Sequence, residues 1–379
     1  MIFLYGVPMF VSCCAILWIY LNRPKKPPKP RGHRKKKIFI SGDVLLSVFE
    51  FLAPSQLGLG IALVSHRFDI IVDEQFKTRR WVLNSMEIWR QFWKFFTKEM
   101  EIVDYYWRTL PIPQVQLPHK VVGFKCITIS FIDQNAIAFL HHFRPIFATC
   151  PIYLSIQTTS DDYRIWELIL RNIWPMLGNN IHSMGLCPSG FRHLRKFAPS
   201  FLNGCASLRV ATYFDDFFIE FPADDSAMAS DGQAVAKWLF TPRPNNVPAV
   251  FEGSWYIDDE MLLSMIDAFK AAFAWASSPA NFIVAIWVWP FTDSVVPFDL
   301  TNQLTREQLT LRKTDNCRLF LLIRCPIARD ESKWTKWEKE TIGWRIRDQW
   351  HQIDIRINSE RQIGDGLLDA TPGPSDQQK

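Results

Sequence analysis

Four adjacent aspartate pairs, Asp161-Asp162, Asp215-Asp216, Asp224-Asp225 and Asp258-Asp259, are the carboxylates of this chain that stand close enough to suggest acid–base chemistry. A general acid and a general base must reach one substrate from two directions, and sequence neighbours rarely do so. Each pair falls in a loop or at a helix start, where Asp satisfies free backbone N–H groups, so capping is the expected role. His141-His142 is the adjacent histidine pair. On a helix, i and i+1 side chains diverge by about 100° and do not share a metal. Of the eight cysteines, Cys13 and Cys14 sit in an apolar leader, and Cys126, Cys150, Cys187, Cys205, Cys317 and Cys325 are scattered without a C-x-x-C pair. Cys317 and Cys325 bracket an expected strand and stand too far apart along it for one ion. Buried thiols in a reducing compartment are therefore expected, not disulfides or zinc. The chain has no Gly-rich phosphate loop, no H-E-x-x-H, no G-x-S-x-G and no kinase pattern. No catalytic residue, cofactor or metal site is expected, and the chain reads as a non-enzyme. Trp287, Trp289, Trp334, Trp337, Trp344 and Trp350 crowd the last quarter; helical spacing assigns them to core, with a recognition patch as the alternative.

The elements that would position these residues alternate. An aromatic, charged helix is expected over 82–107, then a loop marked by Pro111, Pro113 and Pro118. Strands are expected at 123–131, 152–157, 181–186 and 208–213, with helices at 134–147, 163–176 and 191–202 between them. From Phe124 to Ile152, Ile181 and Leu208 the spacings are 28, 29 and 27 residues. One strand and one helix per period suits leucine-rich-repeat-like stacking, and an ordinary α/β layer with crossovers suits it equally. Beyond Phe221 come helices at 233–240 and 259–276. An antiparallel set at 282–289, 295–300, 308–311 and 319–323 follows, then a helix capped by Asp330 and an edge strand at 353–357. The fold class expected is α/β, α+β overall, with an antiparallel C-terminal part.

The overall charge of +5 is localised. Nine of the 43 Lys and Arg lie in residues 23–37, which leaves 34 bases against 38 acids elsewhere. The body is mildly acidic, so nucleic acid is not an expected partner. Residues 2–21 carry no charge and are long enough to cross a hydrocarbon layer of about 30 Å. The basic cluster follows directly, so the positive-inside rule predicts a single-pass anchor with the body in the cytosol. A cleaved secretory leader is the competing reading, but it wants a basic start and a small-residue cleavage site, and neither is present. The Pro-rich 23–38 segment is expected to be an extended linker flanking the membrane, with 34–37 also a possible import patch.

Residues 40–81 are the most patterned part. Leu45, Val48, Phe49 and Leu52 form an i, i+3, i+4, i+7 stripe, Ser41 or Asp43 can cap it, and Pro54 stops it. Further stripes run Leu57, Ile61, Val64, Phe68 and then Phe68, Ile71, Val72, Phe76. About forty residues bury little on their own, so part of this surface should meet a partner. The run D-V-L-L-x-V-F-x-F-L-x-P-x-x-L followed by A-L-V-S-x-R-F resembles the F-box, the adaptor-binding module of SCF-type ubiquitin ligases; Ile40-Ser41 stands where that family has Leu-Pro. The layout, with R-C-P-I at 324–327 and W-x-K-W-E-K-E at 334–340, is similar to the expanded nematode F-box families. The resemblance implies a Skp-type adaptor, and through it a cullin scaffold, as partners. It implies adaptor contacts at Val44, Leu45, Val48, Phe49, Leu52, Pro54, Leu57, Val64 and Phe68, and a body that recruits a protein substrate. Phe49→Asp is then expected to abolish adaptor binding while the body stays folded. A secreted or anchored binding protein with no ubiquitin role is the alternative. The expected divisions are an anchor at 1–22, the linker at 23–38, an F-box at 39–82, a repeat-like region at 83–220, a C-terminal α/β region at 221–360 and a disordered tail at 361–379.

Overall fold

The computed structural model describes residues 40–52, 57, 61–89, 101–103, 109–111, 119–158, 163–177, 180–213, 217–243, 246–255, 259–288, 294–316, 318–343, 351–364 and 367. The expected anchor and linker, Pro54, Asp161-Asp162, Asp215-Asp216, Asp258, Cys317, Trp289, Trp344 and Trp350 lie outside these residues. No helix among the described residues is long and apolar enough to cross a membrane. The chain forms two units, Met1–Ile146 with Arg361–Lys379, and Phe147–Glu360.

The first unit opens with helices α1 (Gly42–Phe49) and α2 (His66–Thr78), joined through a single helical turn, Ala62–Val64. Strands β1 (Trp81–Trp89), β2 (Glu101–Val103), β3 (Thr109–Pro111) and β4 (Val121–Ile129) make a sheet ordered β4-β1-β2-β3. β1 runs parallel to β4 and antiparallel to β2. This corrects the helix expected from residue 82. Ile88, Phe92 and Phe96 have helical spacing, yet Trp81, Leu83, Met86 and Ile88 are buried and the backbone pairs on both sides. Tertiary pairing overrides local periodicity here. Helix α3 (Gln134–His142) is capped by Asp133, which accepts from the Ala136 N–H at 2.8 Å, and Phe143 just past its end packs edge-on against Phe124 of β4. Residues assigned to a tail are partly engaged: the Ile132 N–H donates to Gln362 O, and Ile132 bridges Ile363.

The second unit is a mixed sheet, mostly parallel, with antiparallel strands at its C-terminal side. Its strands are β5 (Ile152–Ile156), β6 (Ile181–Leu186), β7 (Val210–Tyr213), β8 (Ala249–Trp255), β9 (Phe282–Val288), β10 (Phe298–Asn302), β11 (Glu307–Lys313), β12 (Leu319–Pro326) and β13 (His351–Ile355). The order is β10-β11-β12-β9-β8-β7-β6-β5-β13. From β5 to β9 every neighbour is parallel and in chain order, while β9, β12, β11 and β10 pair antiparallel. Strands buried on both faces read as unbroken apolar runs, which is why Ile152, Ile181 and Leu319 mark strand starts so plainly. β8 has no counterpart among the expected strands: only Ala249, Val250 and Phe251 are apolar before Glu252-Gly253.

Helix α4 runs Tyr163–Leu168, through a π-helical stretch Ile169–Ile173, to Trp174–Leu177. Then follow α5 (Pro188–Phe197), α6 (Asp231–Leu239), α7 (Asp259–Ala274) and α8 (Glu331–Ile342). Phe191 of α5 meets Tyr213, and Phe269 of α7 meets Phe282. On the opposite sheet face Val210, Val250, Ile283 and Leu321 pack with Trp334 of α8. Helices thus cover both faces, as an apolar sheet requires.

Candidate functional site

The module at residues 40–81 is built by two serine caps. Ser41 Oγ accepts from the Val44 N–H at 3.3 Å and starts α1; Ser65, extended, accepts from the Phe68 N–H at 3.3 Å and starts α2. Each such cap contributes about 1 kcal/mol. Arg79 Nη1 donates to Glu50 O at 2.7 Å, and Arg67 donates to Ile40 O, so the two arginines of α2 and its end tie down both ends of α1. Phe76 and Arg79 then meet Trp81, with ring centroids 5.1 Å apart and the guanidinium 4.8 Å from the indole.

α1 carries two apolar stripes, not one. Leu45 and Phe49 are buried, and Phe49 lies 6.1 Å from the Phe68 ring; Leu57, Val72 and Phe76 complete the interior. On the other side Val44, Val48 and Phe51, at i, i+4 and i+7, are 53%, 51% and 89% exposed. Leu63 and Val64 on the following turn are 65% and 66% exposed. This small module thus turns an apolar stripe to water.

The residues expected to contact an adaptor therefore separate. Val44, Val48 and Val64 present side chains to solvent; Leu45, Phe49 and Leu57 hold the module together; Leu52 and Phe68 are half-buried. Phe51 and Leu63, not among the expected contacts, belong to the exposed set. The signal was present as the second periodic row, Val44-Val48-Phe51. Phe49→Asp would strike the interior and is no clean probe of docking.

The other candidates stay apart. Asp224 accepts from the Ser226 N–H at 3.0 Å and its hydroxyl at 2.8 Å, and those bonds lower its carboxyl; Asp225 accepts from Asn203 at 2.8 Å; Asp259 accepts from Ser294. His142 is lowered by burial and by His141 beside it. Cys126, Cys150, Cys187, Cys205 and Cys325 form no disulfide, and no metal-holding cluster occurs among the described residues. Trp334 stacks edge-on with Trp337 at 5.4 Å, and Trp287 and Trp337 pack on the sheet core. Those three tryptophans are core. No family model, curated protein or solved structure matches this chain.

Proposed function

We propose that this chain is the substrate-recruiting subunit of an SCF-type ubiquitin ligase, tethered to a membrane through residues 2–21. The module at 39–82 acts as its F-box and the α/β body selects the target; bond chemistry is left to the partner enzymes. The observation that carries this reading is the exposed stripe Val44, Val48 and Phe51 on a helix whose opposite face already fills the interior. A fully buried Val or Phe contributes about 1.5–3 kcal/mol, so seating three such side chains on a Skp-type adaptor accounts for a stable complex. The chain-ordered parallel strands of the second unit, with helices between them, favour the repeat-like reading of the body. Such bodies offer extended surfaces to proteins.

The test is adaptor binding by the full-length chain in detergent. Val44→Asp with Val48→Asp removes the stripe without touching the interior. We expect wild-type binding and a loss of about a hundredfold or more in the double variant, with an unchanged unfolding temperature. Phe49→Asp should lower both together.

A further inference from the structure

Where β8 and β9 begin and β12 ends, the second unit holds a cleft of about 600 Å³. Its walls come from the loops before β8 and β9, the β10–β11 turn and the residues after β12. Three of the side chains lining it carry a buried polar atom with no hydrogen-bond partner: Arg243 Nε, Asn281 Oδ1 and Thr305 Oγ1. All three atoms are closed to solvent, so they show that the walls are polar and do not themselves meet an occupant.

The charges agree. Arg243 and Arg306 line the cleft, and no carboxylate pairs with either among the described residues. The acid on its wall, Glu307, is already spent: Oε1 accepts from the Ala280 N–H at 2.8 Å and Oε2 from Arg324 at 2.6 and 3.1 Å. Arg243 is held by Leu208 O at 2.5 Å and lies 4.9 Å over Trp238, which leaves its charge unanswered. Burial, and Arg209 nearby, lower it to about 10, the state an incoming anion would relieve.

The backbone agrees as well. Asn246 (φ 51°) and Arg306 (φ 56°) are the two non-glycine residues in the left-handed region among the described residues, and both line this cleft. Such conformations are held against a local cost and gather at ligand sites.

We propose that this cleft binds a small phosphorylated metabolite, its phosphate held by Arg243 and Arg306. Pro242, Pro279 and Pro326 supply rigid apolar walls. A phosphate takes paired guanidinium donors well, and the volume suits a metabolite-sized ligand. The inference stands independently of adaptor docking.

Titration calorimetry of the full-length chain in low-chloride buffer, with inorganic phosphate, AMP and adenosine as probes, tests it. Saturable binding of phosphate or AMP, absent for adenosine, is expected. Arg306→Asn, which keeps a residue tolerant of left-handed φ, should weaken binding about tenfold or more without lowering the unfolding temperature. Arg243→Gln should do the same; if it unfolds the chain, Arg306→Asn carries the test, since the exposed Arg306 side chain makes no bond the fold depends on. Binding of AMP alone would support the site and identify the larger ligand. Absence of saturation with either phosphate probe, or binding that Arg306→Asn leaves unchanged (an adventitious ion only), would overturn the proposal.

Discussion

At the scale of single residues, the Arg324–Glu307 pair shows how a charge is tolerated in an apolar sheet. Arg324 is fully buried; it donates to Glu307 and to Ser278 O at 2.8 Å, and lies 4.9 Å from the Phe240 ring. Burial lowers its guanidinium, and the Glu307 bonds counter that. Glu307→Ala leaves the cation buried without a carboxylate, and we expect a loss of ~3–5 kcal/mol in denaturant unfolding. Arg324→Met added to it should recover part of the loss. Cys205 makes a second residue-scale prediction: burial raises its thiol from 9.0 to about 11. An acid raised on folding ionises later in the folded chain than in the unfolded one. The contribution is therefore neutral below pH 9 and becomes destabilising as pH rises from 9 to 11. At pH 8 the thiolate is a fraction of about one in a thousand, so alkylation followed by mass spectrometry should label Cys205 only after unfolding. That Glu307 and Arg324 would meet was not legible in the sequence, because their partnership arises from strand register, Gln308 opposite Cys325.

At the scale of elements, α6 shows packing overruling propensity. Ser230 accepts from the Gln233 N–H at 3.1 Å and the Gln233 side chain accepts from the Ser230 N–H at 2.9 Å, a complete capping box. Gly→Ala inside a helix ordinarily gains about 1 kcal/mol. A Cβ on Gly232, however, would stand 2.2 Å from Phe218 O. Gly232→Ala should therefore destabilise by about 1–3 kcal/mol, read from the denaturation midpoint; a gain would mean that the Phe218 loop yields freely. β5, β6, β9 and β12 were legible because they are dense apolar runs, and α8 because Asp330 announces its start by accepting from the Lys333 N–H. β1 was not, since its aromatic spacing continues a helical pattern and only pairing with β4 and β2 makes it a strand. β8 was not, because Glu252 and Gly253 dilute its apolar signal. Its place is set by parallel neighbours on both sides, β7 and β9.

At the scale of the whole molecule, the chain combines a small helical module with exposed apolar side chains and a larger sheet unit with helices on both faces. The described members of the aspartate pairs bond to Ser and Asn partners, Trp287, Trp334 and Trp337 pack in core, and Arg243 with Arg306 line the proposed anion cleft. The two-sided nature of α1 was legible in outline from residues 40–81, but a sequence shows periodicity on both faces without saying which one folding consumes. The cleft was illegible because its walls come from four separate connections. The central claim is adaptor docking through the outer face of α1. Its most direct test is the dissociation constant of the full-length chain for a Skp-type adaptor, measured for wild type and for Val44→Asp/Val48→Asp alongside their unfolding temperatures. The account predicts saturable wild-type binding, lost in the double variant at equal stability. Absence of wild-type binding, or equal affinity in both proteins, would contradict it.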